Sequence, residues 1–199
     1  QILSTRGDLV GAALAAELEQ LQSDGPADPA AVIRTRIEAD LRRPLNELYE
    51  SFEDQPIASA SIAQVHGATL PGGERVVVKV RHQGVTDRVR VDLAILQDLV
   101  GLAERVPEFA AYRPLRVFQE FQRTLLRELD LSSEVAHMRR IAAIFQQDAQ
   151  VHVPRVDAER SSRRVLTMER LDGIRVNDTA RLREAGLDLD LVARRGAEM

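Results

Sequence analysis

The sequence predicts an α+β fold in which five strands are flanked by helices. Apolar residues recur at helical spacing over residues 4–22, 85–100 and 114–145. Small and β-branched residues surround a tight turn at Pro71–Glu74. Two shorter β-rich segments follow nearer the carboxyl end. Together these observations predict a small sheet, three strands of which form an antiparallel meander.

The amino-terminal part is predicted to be helical. Residues 23–29, rich in Asp, Gly and Pro, end a first helix over residues 4–22. A short helix follows from Ala31 to Ala39, and Pro44 suits the first turn of another that extends to Tyr49. The apolar face of the first helix consists of Val10, Leu14, Leu18 and Leu21.

The meander is predicted between Pro56 and His82. Ile62 to Leu70 is rich in small and β-type residues, and Arg75 to Val80 contains three consecutive valines. Pro71–Glu74 joins these two strands, because Pro and Gly supply the backbone conformations that a tight turn needs.

The remaining part alternates between helices and strands. Helices are predicted over residues 85–100 and 114–145, and strands at Val151–Pro154 and Arg163–Met168. Gly173 ends this unit. A last short helix extends to Gly186, with Asp178 or Thr179 as its cap.

The composition excludes several classes of function. Hydrophobic residues make up 44% and charged residues 29% of the 199, which suits a packed domain. Without Cys, the chain has neither disulfides nor thiolate chemistry, which is compatible with the cytoplasm. A net charge of −4 argues against nucleic acid as the main partner. No apolar run approaches the ~20 residues of a membrane helix.

Lys79 is the only lysine among 27 basic residues. In an Arg-rich chain a lone Lys suggests a role that Arg cannot fill, such as a compact point charge. It follows the valine run of a predicted strand, where a kinase places the lysine that contacts the ATP phosphates. The alternative is a lysine at a strand end that extends into water.

Three further segments have a place in the same chemistry. Ala58–Ser61 could let backbone amides approach phosphate, or could be a small-residue strand packed under a helix. Asp130 and Glu134, four apart on a helix, could share Lys79 or a metal ion, or form a solvated acidic face. Arg164–Gly173 could be an adenine-binding hinge or an ordinary hairpin strand. The four His residues show no metal-ligand spacing.

In this order the segments resemble the UbiB family of atypical kinase-like proteins over essentially the whole chain. Ser59 departs from the Ala that the family has there. The matching positions are Gln1, at the end of the Lys-x-Gly-Gln motif; Ala58–Ser61, the Ala-rich loop; Lys79, the nucleotide lysine; Glu128 and Asp130, the Glu-x-Asp motif; Glu134, the lysine's partner; and Thr167–Leu171, the hinge.

The resemblance implies three regions. Residues 1–50 are a helical extension packed over the active site, 51–172 a protein-kinase-like N-lobe with a five-stranded antiparallel sheet, and 173–199 the start of a C-lobe. It implies ATP and Mg²⁺ as cofactors, and a fragment whose catalytic residues lie beyond Met199. The implied nucleotide contacts are Ala58, Ser59, Ala60, Ser61, Lys79, Glu134, Met168, Glu169 and Leu171.

The resemblance also implies a function: an ATPase or kinase in ubiquinone or isoprenoid-lipid biosynthesis. Its expected partners are nucleotide, quinone precursors or isoprenoid lipids, and biosynthetic proteins. Membrane association would come through a segment beyond the carboxyl end. Two alternatives stay open. One is a non-catalytic, pseudokinase-like scaffold, and the other is a small-molecule phosphotransferase, which should lack the helical extension and the Glu128/Asp130 motif.

Overall fold

The computed structural model describes residues 26–198. The helix predicted over residues 4–22 and the motif residue Gln1 lie outside this range. Among the described helices, none is both long enough and apolar enough to cross a bilayer.

The described residues form eight helices and five strands. In chain order these are α1 (Ala30–Leu41), α2 (Leu45–Leu48), β1 (Ser51–Ser59), β2 (Ala63–Thr69), β3 (Arg75–Arg81), α3 (Val85–Ala103), α4 (Pro107–Ala110), α5 (Pro114–Glu128), α6 (Leu131–Ile144), β4 (Val156–Asp157), β5 (Val165–Glu169), α7 (Thr179–Glu184) and α8 (Leu189–Glu198).

The five strands form one antiparallel sheet in the order β1-β2-β3-β5-β4. The predicted sheet and meander are therefore confirmed. The predicted turn between β2 and β3 is also confirmed. Gly72 and Gly73 have φ angles of 130° and 87° there, a region that side chains with a Cβ rarely enter.

The position predicted for the fourth strand is wrong. β4 is the two-residue segment Val156–Asp157, and the predicted Val151–Pro154 forms no strand. The Glu169 carboxylate accepts a hydrogen bond from the Arg155 N–H (3.1 Å) and contacts the His152 ring (3.0 Å). Side-chain contacts therefore hold this segment where a strand ladder was expected, and Pro154 has no N–H to give to a ladder.

The single helical region predicted from 114 to 145 is in fact two helices, which meet at Asp130. Asp130 has an extended conformation (φ −103°, ψ 101°), and its carboxylate accepts a hydrogen bond from the Ser132 N–H at 3.0 Å. This is N-cap geometry, which begins a new helix. Asp178, predicted as a cap, occupies the same position before α7 and accepts from the Arg181 N–H.

The core lies between α1, α2 and one face of the sheet. Successive side chains of a strand alternate between faces, so the valines of β3 that face the core leave Lys79 on the opposite face. The helical extension was expected to cover the Lys79 face of the sheet. Over residues 30–48 this expectation is wrong, because α1 and α2 cover the opposite face. The core residues are Ile33, Ile37, Leu45, Leu48, Tyr49, Ala68, Val76, Val78, Val80 and Val165.

Replacing Tyr49 by Phe is expected to destabilise the chain by about 1–2 kcal/mol. The buried Tyr49 hydroxyl lies 2.7 Å from Thr167 Oγ1, which itself donates to the Arg160 carbonyl. Tyr49 must therefore donate, and Phe leaves that buried oxygen without its donor. Urea unfolding would show the loss. Tyr112→Phe, at a side chain 76% exposed, is the control, and equal midpoints for the two variants would contradict the prediction.

Candidate functional site

Lys79 and Glu134 form an ion pair across the open face of the sheet. Lys79 Nζ lies 2.6 Å from Glu134 Oε2, and the two side chains are 29% and 36% exposed. Lys79 comes from β3, and Glu134 from the first turn of α6. The structure thus joins two residues 55 positions apart that the sequence motifs had paired. At this exposure the pair contributes little to stability.

The start of α6 is anchored so that Glu134 meets Lys79. Leu129 and Leu131 are each 2% exposed, and the Leu131 N–H donates to the Arg163 carbonyl at 3.1 Å. Arg81, two residues after Lys79 on β3, donates from its guanidinium to the Leu129 carbonyl. The junction between α5 and α6 is therefore tied to the same strand that carries the lysine.

Asp130 does not share Lys79 with Glu134. As the N-cap of α6 it lies outside the helix, and its carboxylate pairs with Arg163 at 3.3 Å. The expectation that Asp130 and Glu134 are one turn apart on a helical face is therefore wrong. Glu128 is exposed at the last position of α5, with no hydrogen bond or ion pair to another described residue.

The four small residues lie at the turn between β1 and β2. Ala58 and Ser59 are the last two residues of β1, while Ala60 and Ser61 form the turn. Ala58 pairs with Val65, and Val65 pairs with Lys79. Paired residues of antiparallel strands point to the same face, so Ala58 shares the face of Lys79.

Ser59, the next residue, points to the opposite face of the sheet from Ala58. It pairs with Gln64, whose side chain lies on the face covered by α1. Ser59 is 9% exposed, and its hydroxyl oxygen has no hydrogen-bond partner among the described residues. Ala60 and Ser61 are exposed, and the Ala60 N–H donates to the Ala63 carbonyl at 2.9 Å.

Two residues of β2, Ala63 and Val65, also lie beside this turn, although none of the sequence motifs above includes them. Ala63 is buried at the start of β2, and Val65 lies between Ala58 and Lys79. The sequence did carry a signal for them. Counted from Ala58, the spacing Ala-x-Ala-x-x-Ala-x-Val is that of the kinase pattern Gly-x-Gly-x-x-Gly-x-Val, with Ala at each Gly position.

The hinge residues lie at the end of β5. Met168 pairs with Val77, just as Leu166 pairs with Lys79. Met168 therefore lies on the Lys79 face, two residues after Leu166. Leu171, two residues after the strand, is 49% exposed. The Asp172 carboxylate then forms an ion pair with the Arg75 guanidinium of β3, with 2.8 Å between Oδ2 and Nη1. The segment after β5 therefore leaves the sheet beside the start of β3, four residues before Lys79.

The Glu169 carboxylate has a structural role of its own. A hydrogen bond from the Arg155 N–H, together with the His152 contact, lowers the pKa of Glu169 below its ordinary value of 4.5. Its side chain is committed to residues 152–155 and its N–H donates to the Arg155 carbonyl at 2.8 Å, which leaves the Glu169 carbonyl as the group that could contact a ligand.

Replacing Glu169 by Gln is expected to loosen residues 152–155 at neutral pH and to remove an acid dependence. Because the folded pKa is lowered, the carboxylate stabilises the fold fully above pH 4.5. It loses that contribution as pH falls through the folded value. The stability difference between wild type and Glu169→Gln should therefore shrink on acidification in urea unfolding. Glu159→Gln, at an exposed position, serves as control, and a difference independent of pH would refute the assignment.

No cluster of three or more His, Asp or Glu side chains with metal-binding geometry occurs among residues 26–198. The described part of the site therefore offers one ammonium, its carboxylate partner and a small-residue turn, and no preformed cation site. This combination suits an anionic ligand bound at Lys79.

Known proteins are similar to this chain in sequence. Residues 20–199 match the ABC1 atypical kinase-like domain. Two proteins named "Probable protein kinase UbiB" align with all of this chain, one from Marinobacter nauticus at 38% identity and one from Pseudomonas paraeruginosa at 40%. The chain spans 37% and 38% of their lengths.

A solved structure supports the same relationship. The complex of Rv3197 with erythromycin from Mycobacterium tuberculosis superimposes with a TM-score of 0.67 at 30% identity, covering 87% of this chain and 43% of that one. The fold is thus the α+β, kinase-like N-lobe that the motifs predicted. A family model that covers nine-tenths of the chain, and relatives that align with all of it, lead to one conclusion: the chain belongs to the ABC1 atypical kinase-like family and is similar to its UbiB members.

Proposed function

We propose that this chain is the ATP-binding part of an atypical kinase or ATPase. The observation that carries the proposal is the Lys79–Glu134 pair. Lys79 lies in the same row of the sheet as Ala58 of the small-residue turn, with only Val65 of β2 between them. Kinases use a strand lysine, oriented by a helix glutamate, to hold ATP phosphates. The turn residues Ala58, Ser59, Ala60 and Ser61 would then lie over the phosphates, with the Ser61 N–H, which bonds to no other described residue, as a donor.

The residues present fit a nucleotide. The Lys79 ammonium has three N–H donors, of which Glu134 takes one, so donors remain for phosphate oxygens. Val65 and Leu166 flank Lys79 in its row; Leu166 is fully buried, so the half-buried Val65 is the one that offers apolar surface to a base.

The adenine would bind at the hinge. Met168 lies on the same face as Lys79, and Glu169 and Leu171 follow it at the end of β5. We assign adenine recognition to the Glu169 carbonyl and the Leu171 backbone, since the Glu169 carboxylate is occupied by Arg155 and His152 and its N–H donates to the Arg155 carbonyl. The proposed regions are the helical extension over 1–50, the N-lobe over 51–172 and the start of a C-lobe from 173.

The described residues do not by themselves fit Mg²⁺, because no cluster of metal ligands is found among residues 26–198. When bound with ATP, Mg²⁺ neutralises charge on the phosphates. In our proposal its ligands and the catalytic residues belong to the part of the relatives that this chain does not span. Turnover is accordingly assigned to a protein of the relatives' length, and weak nucleotide binding to this chain.

The name UbiB of the similar proteins supports a role in ubiquinone or isoprenoid-lipid biosynthesis, with quinone precursors, lipids or biosynthetic proteins as partners. A second candidate is a non-catalytic binding module. The relative from Mycobacterium tuberculosis supports this second candidate, because that protein was solved in complex with erythromycin, a ligand other than a nucleotide.

Replacing Lys79 by Arg tests the proposal, because it keeps the charge and changes the geometry of the donor. The 199-residue chain should bind ATP weakly in calorimetry, and Lys79→Arg should weaken binding about tenfold or more. The converse change Arg90→Lys, at an exposed residue of α3, is the matched control. A folded Lys79→Arg variant that binds ATP as wild type does would refute the proposal. Wild type without measurable ATP binding would favour the second candidate.

A further inference from the structure

His82 lies directly behind the small-residue turn and is 5% exposed. Its Nε2–H donates to the Ala60 carbonyl at 2.9 Å, and its backbone N–H donates to the Ile62 carbonyl at 2.9 Å. One residue after β3 therefore holds two carbonyls of the turn, one through its side chain and one through its backbone. The Lys79–Glu134 pair uses neither contact.

The other ring nitrogen of His82 faces the amino-terminal segment. Nδ1 lies 3.3 Å from Asp28 Oδ2, and the same oxygen accepts from the Gln83 N–H at 2.7 Å. Asp28 precedes α1, so it belongs to the helical extension rather than to the sheet. Since Nε2–H already donates to the Ala60 carbonyl, a neutral ring presents no N–H to this carboxylate, and the bond from the Gln83 N–H is the one that joins the extension to the residues that hold the turn.

Asp28 is itself fixed by a buried polar chain on the α1 face. Its N–H donates to Gln64 Oε1 at 2.7 Å, and the Gln64 amide donates to His66 Nε2 at 2.7 Å. Burial lowers the pKa of His66, which favours the neutral ring that can accept there while its Nδ1–H donates to the Glu53 carbonyl at 2.8 Å. Gln64 and His66 are both 0% exposed, so these bonds form in a site where unmade bonds are costly.

We propose that His82 and Asp28 are positioning residues, which hold the β1–β2 turn from the helical extension and so set its conformation over the phosphates of a bound nucleotide. This inference rests on the proposed function for its ligand. The contacts of His82 and Asp28 are with the protein itself and do not depend on which ligand binds. Ala60 and Ser61 have no large side chain to pack and Ile62 is only half-buried, so bonds to the Ala60 and Ile62 carbonyls help to fix the backbone of the turn.

The test uses the variants His82→Phe, which keeps a ring and removes both nitrogens, and Asp28→Ala, whose side chain is 24% exposed and whose loss the fold should tolerate. His137→Phe, at an exposed position of α6, is the control. Two quantities are measured for each: amide hydrogen exchange over residues 60–63, and calorimetric affinity for ATP and for adenosine.

Both test variants should exchange faster at residues 60–63 and lose about tenfold in ATP affinity, while their adenosine affinity stays within about twofold of wild type. A general loss of structure would instead weaken both ligands alike and raise exchange at Leu48 and Tyr49 too. Unchanged exchange and an unchanged ratio of ATP to adenosine affinity in Asp28→Ala would overturn the inference. If wild type binds no ATP, the proposed function fails, and the exchange data still decide whether His82 and Asp28 hold the turn.

Discussion

Replacing Glu134 by Gln is expected to weaken ATP binding about tenfold or more while the chain stays folded. Glutamine keeps the shape of the side chain and removes the charge that holds Lys79 Nζ at 2.6 Å. Without it the ammonium is free to turn toward water, and the entropy of fixing a flexible Lys side chain must be supplied when the nucleotide binds.

The same substitution should have little effect on stability. Both side chains are about one-third exposed, and ion pairs in such positions contribute about 0–1 kcal/mol. Calorimetry and urea unfolding on one sample therefore separate the two roles. Glu120→Gln, which breaks an exposed pair with Arg123 on α5, is the matched control. If Glu134→Gln bound ATP like wild type, the pair would not organise the site.

The ion pair itself could be predicted from the sequence. Lys79 is the only lysine and follows a valine run, and Glu134 lies on a helix that the periodicity indicates. The break before that helix could not be found from periodicity, because apolar spacing continues across Leu129 and Leu131. Asp130 is a favoured N-cap residue, so a capping signal was present but competed with a continuous helical pattern.

Other parts of the site depend on long-range contacts that no local pattern reveals. β4 is two residues long, shorter than the window over which strand alternation can be recognised. The position of α1 is fixed by Ile33 and Ile37 against β3, and the amphipathic pattern of a helix does not say which face of a sheet it will cover. The contact of His82 with Ala60 joins residues 22 positions apart and has no sequence signal of its own.

Replacing Val78 by Asp is expected to unfold the chain or to destabilise it by more than about 4 kcal/mol. Val78 is 0% exposed and pairs with His66 and Thr167, whose polar groups are already hydrogen-bonded to other residues. A carboxylate here would be buried among the apolar side chains of the core and would lose the burial energy of the valine. Domains of this size have only about 5–15 kcal/mol to lose.

Two further variants separate charge from packing. Val78→Ala removes the same branched side chain without adding charge and should cost about 2 kcal/mol. Val176→Asp adds the same charge at a side chain 71% exposed and should shift the urea midpoint very little. If Val78→Asp unfolded near the wild-type midpoint, α1 could not be packed on this face. The assignment of Lys79 to the open face, on which the nucleotide site depends, would then fail with it.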